Sequence, residues 1–204
     1  MTTADDLARG RDSFDRRAWG DAFARLSAAD RQVALAPDDL ERQATAAFML
    51  GNDADSTAIW ARAFHDRLDQ GDVDRAARCA FWSAFVLMLT GETARAGGWL
   101  ARAERLLDDG RRDCVEQGYR LVPGAFQNLD QADNATAIAT FTRIAEFGER
   151  FGDADLVALA GVGRGQALIG LGETAAGLAS LDEGMVAVTA GEVSPVVGGF
   201  IYCS

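Results

Sequence analysis

GDVDRAARCAFWSAFVLMLTGETA, from Gly71 to Ala94, recurs in outline as GDADLVALAGVGRGQALIGLGETA, from Gly152 to Ala175. Each copy opens on Gly-Asp, runs through about five helical turns of mainly apolar residues and closes on Gly-Glu-Thr-Ala. Both glycines of the first copy reappear 81 residues on, at Gly152 and Gly172. Self-similarity at a fixed offset is the signature of repeat architecture. Within the first copy, Val73, Ala76, Ala77, Ala80, Ala84, Leu87 and Met88 follow the spacing of an amphipathic helix. Gly91 breaks that helix, and Glu-Thr-Ala opens a partner with Ala96, Trp99, Leu100, Ala103, Leu106 and Leu107 on one face.

The rest of the chain fits the same plan. Residues 5–17 and 21–35 read as a first pair of helices turning at Trp19-Gly20-Asp21, with Pro37 stopping the second. Asp38 or Asp39 is placed to cap the next helix, because a carboxylate there accepts a free backbone N–H. That helix spans about 39–50 and turns at Gly51-Asn52-Asp53. Its partner runs to about Leu68, with Ile59, Trp60, Ala63 and Phe64 apolar. After Gly110 the pattern loosens. A helix over about 112–128 contains Pro123-Gly124, which should kink or interrupt it. The turn at Leu129–Asp133 has no glycine and relies on Asp and Asn. A helix over 134–150 carries Ile138, Phe141, Ile144, Ala145 and Phe147, and the second core copy fills 153–190.

These turns define five helix–turn–helix units, at about 3–37, 38–71, 72–110, 111–152 and 153–191. Their lengths suit tetratricopeptide (TPR)-type units, nominally 34 residues. The expected fold is all-α, a single right-handed α-solenoid over 1–204, with small residues at Ala22, Ala58, Ala94, Ala137 and Ala175 letting paired helices approach. Residues 192–204 read as the start of a further helix. Its apolar stretch Val193–Tyr202 lacks a partner, which predicts self-association and suggests a longer parent chain.

Composition narrows the function. The 20 basic residues are all arginine, against 31 carboxylates, for a net charge of −11. No basic run exceeds two residues, so tight nucleic-acid binding by this segment is not expected. The N-terminus has no secretory pattern, and Cys79–Leu89 is too short to span a bilayer. Cys79, Cys114 and Cys203 are scattered and read as buried, reduced thiols in a cytoplasmic protein. A single histidine, His65, beside Phe64 and Asp66, supplies neither a triad nor a metal cluster. Gly161-Val162-Gly163-Arg164-Gly165 looks superficially like a dinucleotide loop. It lies inside a repeat helix, where glycines permit close packing. No cofactor and no enzymatic activity are expected.

RCAFWSAFVLMLTGETARAGGWLARAERLL (78–107) and GERFGDADLVALAGVGRGQALIGLGETAAGLASLDEGMVAVTAGEVSP (148–195) resemble the TPR-like region of large bacterial, notably actinobacterial, LuxR-type transcriptional regulators. The resemblance covers nearly the whole chain. It implies an interaction or sensing region that precedes a C-terminal DNA-binding helix-turn-helix. No recognition-helix segment occurs in these residues, so DNA binding belongs to the parent family alone.

The expected role is therefore a non-catalytic scaffold that receives a protein, a peptide or another domain of its parent chain in a groove. The first helix of each pair should line it, with Phe81, Trp82 and Phe85 in one unit and Arg164 and Gln166 in another. Two alternatives stand beside it. One is a small-molecule sensor with its pocket near Tyr119 and the irregular segment to Pro123, and the other is a stand-alone repeat adaptor.

Overall fold

A computed structural model describes residues 2–108 and 112–203. The expected turn at Gly110, with Asp109 before it, lies outside the described residues. Chain contacts divide into two compact units, 1–109 and 110–204. The first contains α1 (Thr3–Asp15), α2 (Trp19–Asp30), α3 (Pro37–Met49), α4 (Asp53–Asp69), α5 (Val73–Leu89) and α6 (Thr93–Leu107). The second contains α7 (Glu116–Asp130), α8 (Asn134–Phe151), α9 (Ala154–Gly170), α10 (Thr174–Thr189) and α11 (Pro195–Tyr202). The described residues are all-α, arranged as helix–turn–helix pairs in which each odd helix packs on the even helix that follows.

The Gly-Asp pairs that framed the sequence have two separate tasks. Gly71 (φ 75°) and Gly152 (φ 68°) take the left-handed conformation that ends α4 and α8. There the N–H of Asp72 donates to the Arg67 carbonyl at 2.9 Å, and that of Asp153 to the Gly148 carbonyl at 2.8 Å. This closes the helix end in a Schellman turn. The carboxylates of the same Asp72 and Asp153 then cap α5 and α9 by accepting from the N–H groups of Arg75 and Leu156. One dipeptide thus stops one helix and starts the next.

Several boundaries differ from expectation. The turn of the first pair is centred on Arg17 (φ 59°), not Gly20, and closes where the Ala18 N–H donates to the Ser13 carbonyl at 2.8 Å. Trp19 and Gly20 lie inside α2. Pro37 does not stop α2, which ends at Asp30; it is the first residue of α3, where a missing N–H costs nothing. Neither Asp38 nor Asp39 caps α3, whose cap is Ala36; both sit in the first turn. Pro123 lies within an uninterrupted α7. At the glycine-free turn, Ala132 takes the left-handed position (φ 58°), and Asp133 caps α8 by accepting from the Thr136 N–H.

The packing register is common to all five pairs, and the alanine reading met it at Ala22 and Ala137 but not in the other three. Ala22, Ser56, Ala96, Ala137 and Gly177, each the fourth residue of an even helix, are small and buried. Ala58, Ala94 and Ala175 are exposed. Twelve residues before each buried position stands another small buried residue: Gly10, Ala44, Ala84, Ala125 and Gly165. The two meet where the helices cross. Ser56 Oγ donates to the Ala44 carbonyl at 2.8 Å, and a Cβ on Gly177 would lie 2.6 Å from the Gly165 carbonyl oxygen. Four residues after each small position comes a large apolar one: Leu26, Trp60, Leu100, Phe141 and Leu181. This small-x3-large pattern is part of the TPR consensus.

In unit 1, α5 has no polar stripe: every residue from Cys79 to Leu87 is buried, whereas Met88, expected inside, is exposed. Cys79 and Cys114 are buried as expected, but Cys203 is exposed. Burial, with the Glu41 carboxylate next in weight, pushes the Cys79 thiol well above its ordinary value. In unit 2, α11 packs on α9 and α10. Val193, Val196, Val197 and Ile201 of the expected apolar end are buried, and Tyr202 stays exposed.

Candidate functional site

The residues singled out from the sequence occupy two kinds of place. In unit 1, Phe81, Trp82 and Phe85 are 2%, 8% and 5% exposed. Their rings pack on one another, with Trp82 5.1 Å from Phe81 and 5.5 Å from Phe85. Trp82 also stacks on Trp60 at 6.5 Å. Edge-to-face and offset contacts of this kind lock rings together, and rings so enclosed offer little area to a partner. In unit 2, Tyr119 is 2% exposed, while Arg164 and Gln166 on α9 are half-buried.

A concave feature of unit 2 is a half-open groove of about 540 Å³ along α9 and α10, beside the C-terminal end of α8. Its floor is small and apolar, formed by Gly161, Gly184, Ala154, Ala158, Ala187 and Val157. The groove exists because side chains are missing. Gly161 has open space where a Cβ would stand, whereas two residues on, a Cβ at Gly163 would lie 2.1 Å from the Phe141 ring. Gly163 and Gly165 therefore do permit close helix packing, as read from the sequence, but Gly161 opens a hollow.

Local hydrogen bonds hold the walls. Ser180 Oγ donates to the Gly161 carbonyl at 2.9 Å, fixing α10 to α9 at one end. At the other, Asp153 Oδ1 accepts from the Leu156 N–H and from Tyr119 Oη, both at 2.9 Å. Tyr119 thus sets the groove wall from behind, through Asp153, and is not itself a liner. The Ser194 N–H donates to Asp155 Oδ1 at 2.6 Å and anchors the start of α11 to α9.

Carboxylates rim the groove: Glu149, Asp153, Glu183 and Glu192. Glu149, Glu183 and Glu192 are exposed, and their side chains form no ion pair with any described residue. No described arginine lines it. Arg150, next to Glu149, turns to Asp113 and lies over the Phe151 ring. No group of three metal-ligating side chains forms among the described residues, and His65 is exposed on α4 in unit 1. No described helix is long and apolar enough to cross a membrane. Sequence reasoning missed the groove, whose liners run from Gly148 to Glu192; the one signal was the Gly161 triplet.

No family model and no curated protein matches the chain. Solved structures do. A Podospora anserina putative kinesin light chain with nearly identical TPR-like repeats shares 9% identity at a TM-score of 0.56, with 92% of this chain and 95% of that one covered. The apo form of RapI shares 14% identity at a TM-score of 0.52 over 93% of this chain, which spans 55% of the RapI chain. Both likenesses concern the fold, a TPR-like helical repeat.

Proposed function

We propose that this chain is a protein-binding repeat scaffold, and that its groove in unit 2 is a docking surface for a short segment of a partner. The observation that carries this reading is the groove's make-up. An open, mainly apolar floor along two helices, rimmed by carboxylates, buries side chains of a ligand, and the hydroxyl of its liner Ser180 is committed to the Gly161 carbonyl and not to a base. The TPR-like fold supports it, because stacked helix pairs present extended binding surfaces. The resemblance at 78–107 and 148–195 extends the proposal to a role as the interaction region of a LuxR-type regulator whose DNA-binding part lies elsewhere in its parent chain.

An immobilised array of random-sequence hexapeptides tests the docking role. Retention of a discrete peptide subset at micromolar protein, competed by the same peptides in solution, is the expected outcome; no retention above background refutes it. Of the residues first read as liners, Arg164 lies outside this groove, so Arg164→Ala should leave peptide retention unchanged with the fold intact. Trp82→Ala should instead cost stability, because the ring is enclosed. For the regulator role, the genomic reading frame decides: a helix-turn-helix in the same frame supports it, and its absence removes it.

One observation favours a second reading. A volume of 540 Å³ falls within the range of small-ligand pockets, so a metabolite effector is the alternative occupant. A thermal-shift panel checks it, since a saturating ligand raises the melting midpoint.

A further inference from the structure

The groove's charge narrows what can dock there, given the protein-binding reading on which this inference rests. Among the described residues, four carboxylates stand on its rim and no arginine does. Two helix C-termini, those of α8 at Phe151 and α10 at Thr189, end beside its Glu149–Asp153–Glu192 end. Each contributes partial negative charge from the aligned peptide dipoles of its helix. The opposing N-terminus of α9 is already capped by Asp153. From Phe151 to Ser204 six carboxylates face a single arginine, Arg164, which is not a liner. The low-dielectric floor strengthens this field over what it would be in open water. An anionic or zwitterionic occupant would place its carboxylate against Glu149, Glu183 and Glu192 with no cation to answer it.

The length of the groove points to a peptide. From Ala154 to Gly161 the α9 wall runs about 10 Å, the span of about three residues in extended conformation. Small residues floor it throughout, so the side chain laid against them must itself be apolar.

We propose that the groove receives a cationic segment of a partner protein. An aliphatic side chain lies on the floor between Gly161, Ala158 and Gly184, and flanking Arg or Lys side chains pair with Glu183 and with the Glu149–Glu192 end. Electrostatic steering by the rim sets the on-rate and specificity, and the floor supplies the contact area.

The test begins with the same hexapeptide array, whose retained sequences should be enriched in Arg or Lys flanking Leu, Ile or Val. The best of these, fluorescein-labelled, is then titrated by polarisation against four proteins. Against the wild type, affinity should fall several-fold between 50 and 500 mM salt, as charge pairing requires. Glu183→Gln with Glu192→Gln should weaken binding at least tenfold. Gly161→Leu, whose Cβ meets no atom within 4 Å and whose side chain enters the groove, should abolish it with the helical circular dichroism unchanged. Glu173→Gln, an exposed carboxylate off the groove, should leave it within twofold. Retained peptides that are neutral or acidic overturn the cationic assignment and leave protein binding standing. Cationic peptides held equally by Gly161→Leu or by the double Gln variant overturn the site, because the protein's overall negative charge then accounts for them. An array that retains nothing overturns both readings.

Discussion

Unit 1 joins its helices through several arginine–carboxylate forks and unit 2 through several close glycine contacts, although Gly10 also packs under Leu26 in unit 1 and Arg150 pairs with Asp113 in unit 2. In unit 1, Arg11 forms a two-bond fork to the buried Asp39 at 2.7 and 2.6 Å, and Arg62 forms another to Asp30 at 2.6 and 2.9 Å. Arg25 reaches the buried Asp6 at 3.0 Å. Arg67, only 6% exposed, gathers Asp38, Glu41 and Asp72. In unit 2 the close contacts are glycines: Gly118 under Leu156 and Phe147, Gly148 against Val157, Gly163 under Phe141, and Gly165 against Gly177. The same small-x3-large register underlies both. A repeat fold therefore fixes where helices cross and leaves open what else holds them. The glycine solution also leaves hollows and unanswered carboxylates, and the groove lies in that unit.

All four tryptophans, Trp19, Trp60, Trp82 and Trp99, lie in unit 1. Tryptophan fluorescence therefore follows that unit alone while circular dichroism follows both, and the contrast can be broken one unit at a time. The largest effect should come from Gly163→Leu, which drives a side chain into the Phe141 ring. Overpacking there should cost about 3 kcal/mol, lowering the dichroism midpoint in urea and leaving the tryptophan transition in place. A coincident fall in both signals would mean that the units do not unfold separately.

Arg67→Ala should act on the other side, removing about 2 kcal/mol because Glu41 and Asp38 lose a cation shielded from water. Here the tryptophan transition moves. Acid should give a smaller change. The guanidinium of Arg62 holds the Asp30 carboxyl below its ordinary value, and that of Arg67 does so for Asp38. A carboxylate with a depressed folded pKa adds stability above its unfolded value of about 3.9 and loses it as pH falls through the folded one. Partial exposure screens these pairs, so the loss below about pH 4 should total about 1 kcal/mol. It should appear in the tryptophan midpoint and shrink in the Asp30→Asn variant.

Two substitutions should stabilise unit 2, by about 1 kcal/mol or less each. Gly161→Ala adds helix propensity where a Cβ meets nothing. Ala132→Gly relieves a left-handed alanine. Loss of stability at Gly161→Ala would show that the hollow is closed in solution and would count against the groove.

How much of this was legible varied with distance along the chain. The Gly-Asp and Gly-Glu-Thr-Ala turns could be read directly, because a left-handed glycine and a capping carboxylate act within a few residues of themselves. Trp19-Gly20 misled, because glycine is the default left-handed residue and Arg17 takes that conformation only when the Ser13 carbonyl is there to close the turn. Ala58, Ala94 and Ala175 misled because alanine abundance cannot say which small residue faces the partner helix; the crossing point selects Ser56, Ala96 and Gly177 instead. Burial of Phe81, Trp82 and Phe85 was equally hidden, since the amphipathic spacing along α5 left them off its apolar face, and only the packing of α4 and α6 on that helix covers them.

The sequence by itself determined the helix-pair plan, the glycine turns between helices and the excess of negative charge, all of which follow from local backbone chemistry and composition. Only the tertiary structure decided the crossing register, the arginine forks that join residues up to 32 positions apart, and the hollow at Gly161. These depend on which atoms meet across helices. A glycine has the same letter whether it faces a phenylalanine ring, as Gly163 does, or open space, as Gly161 does.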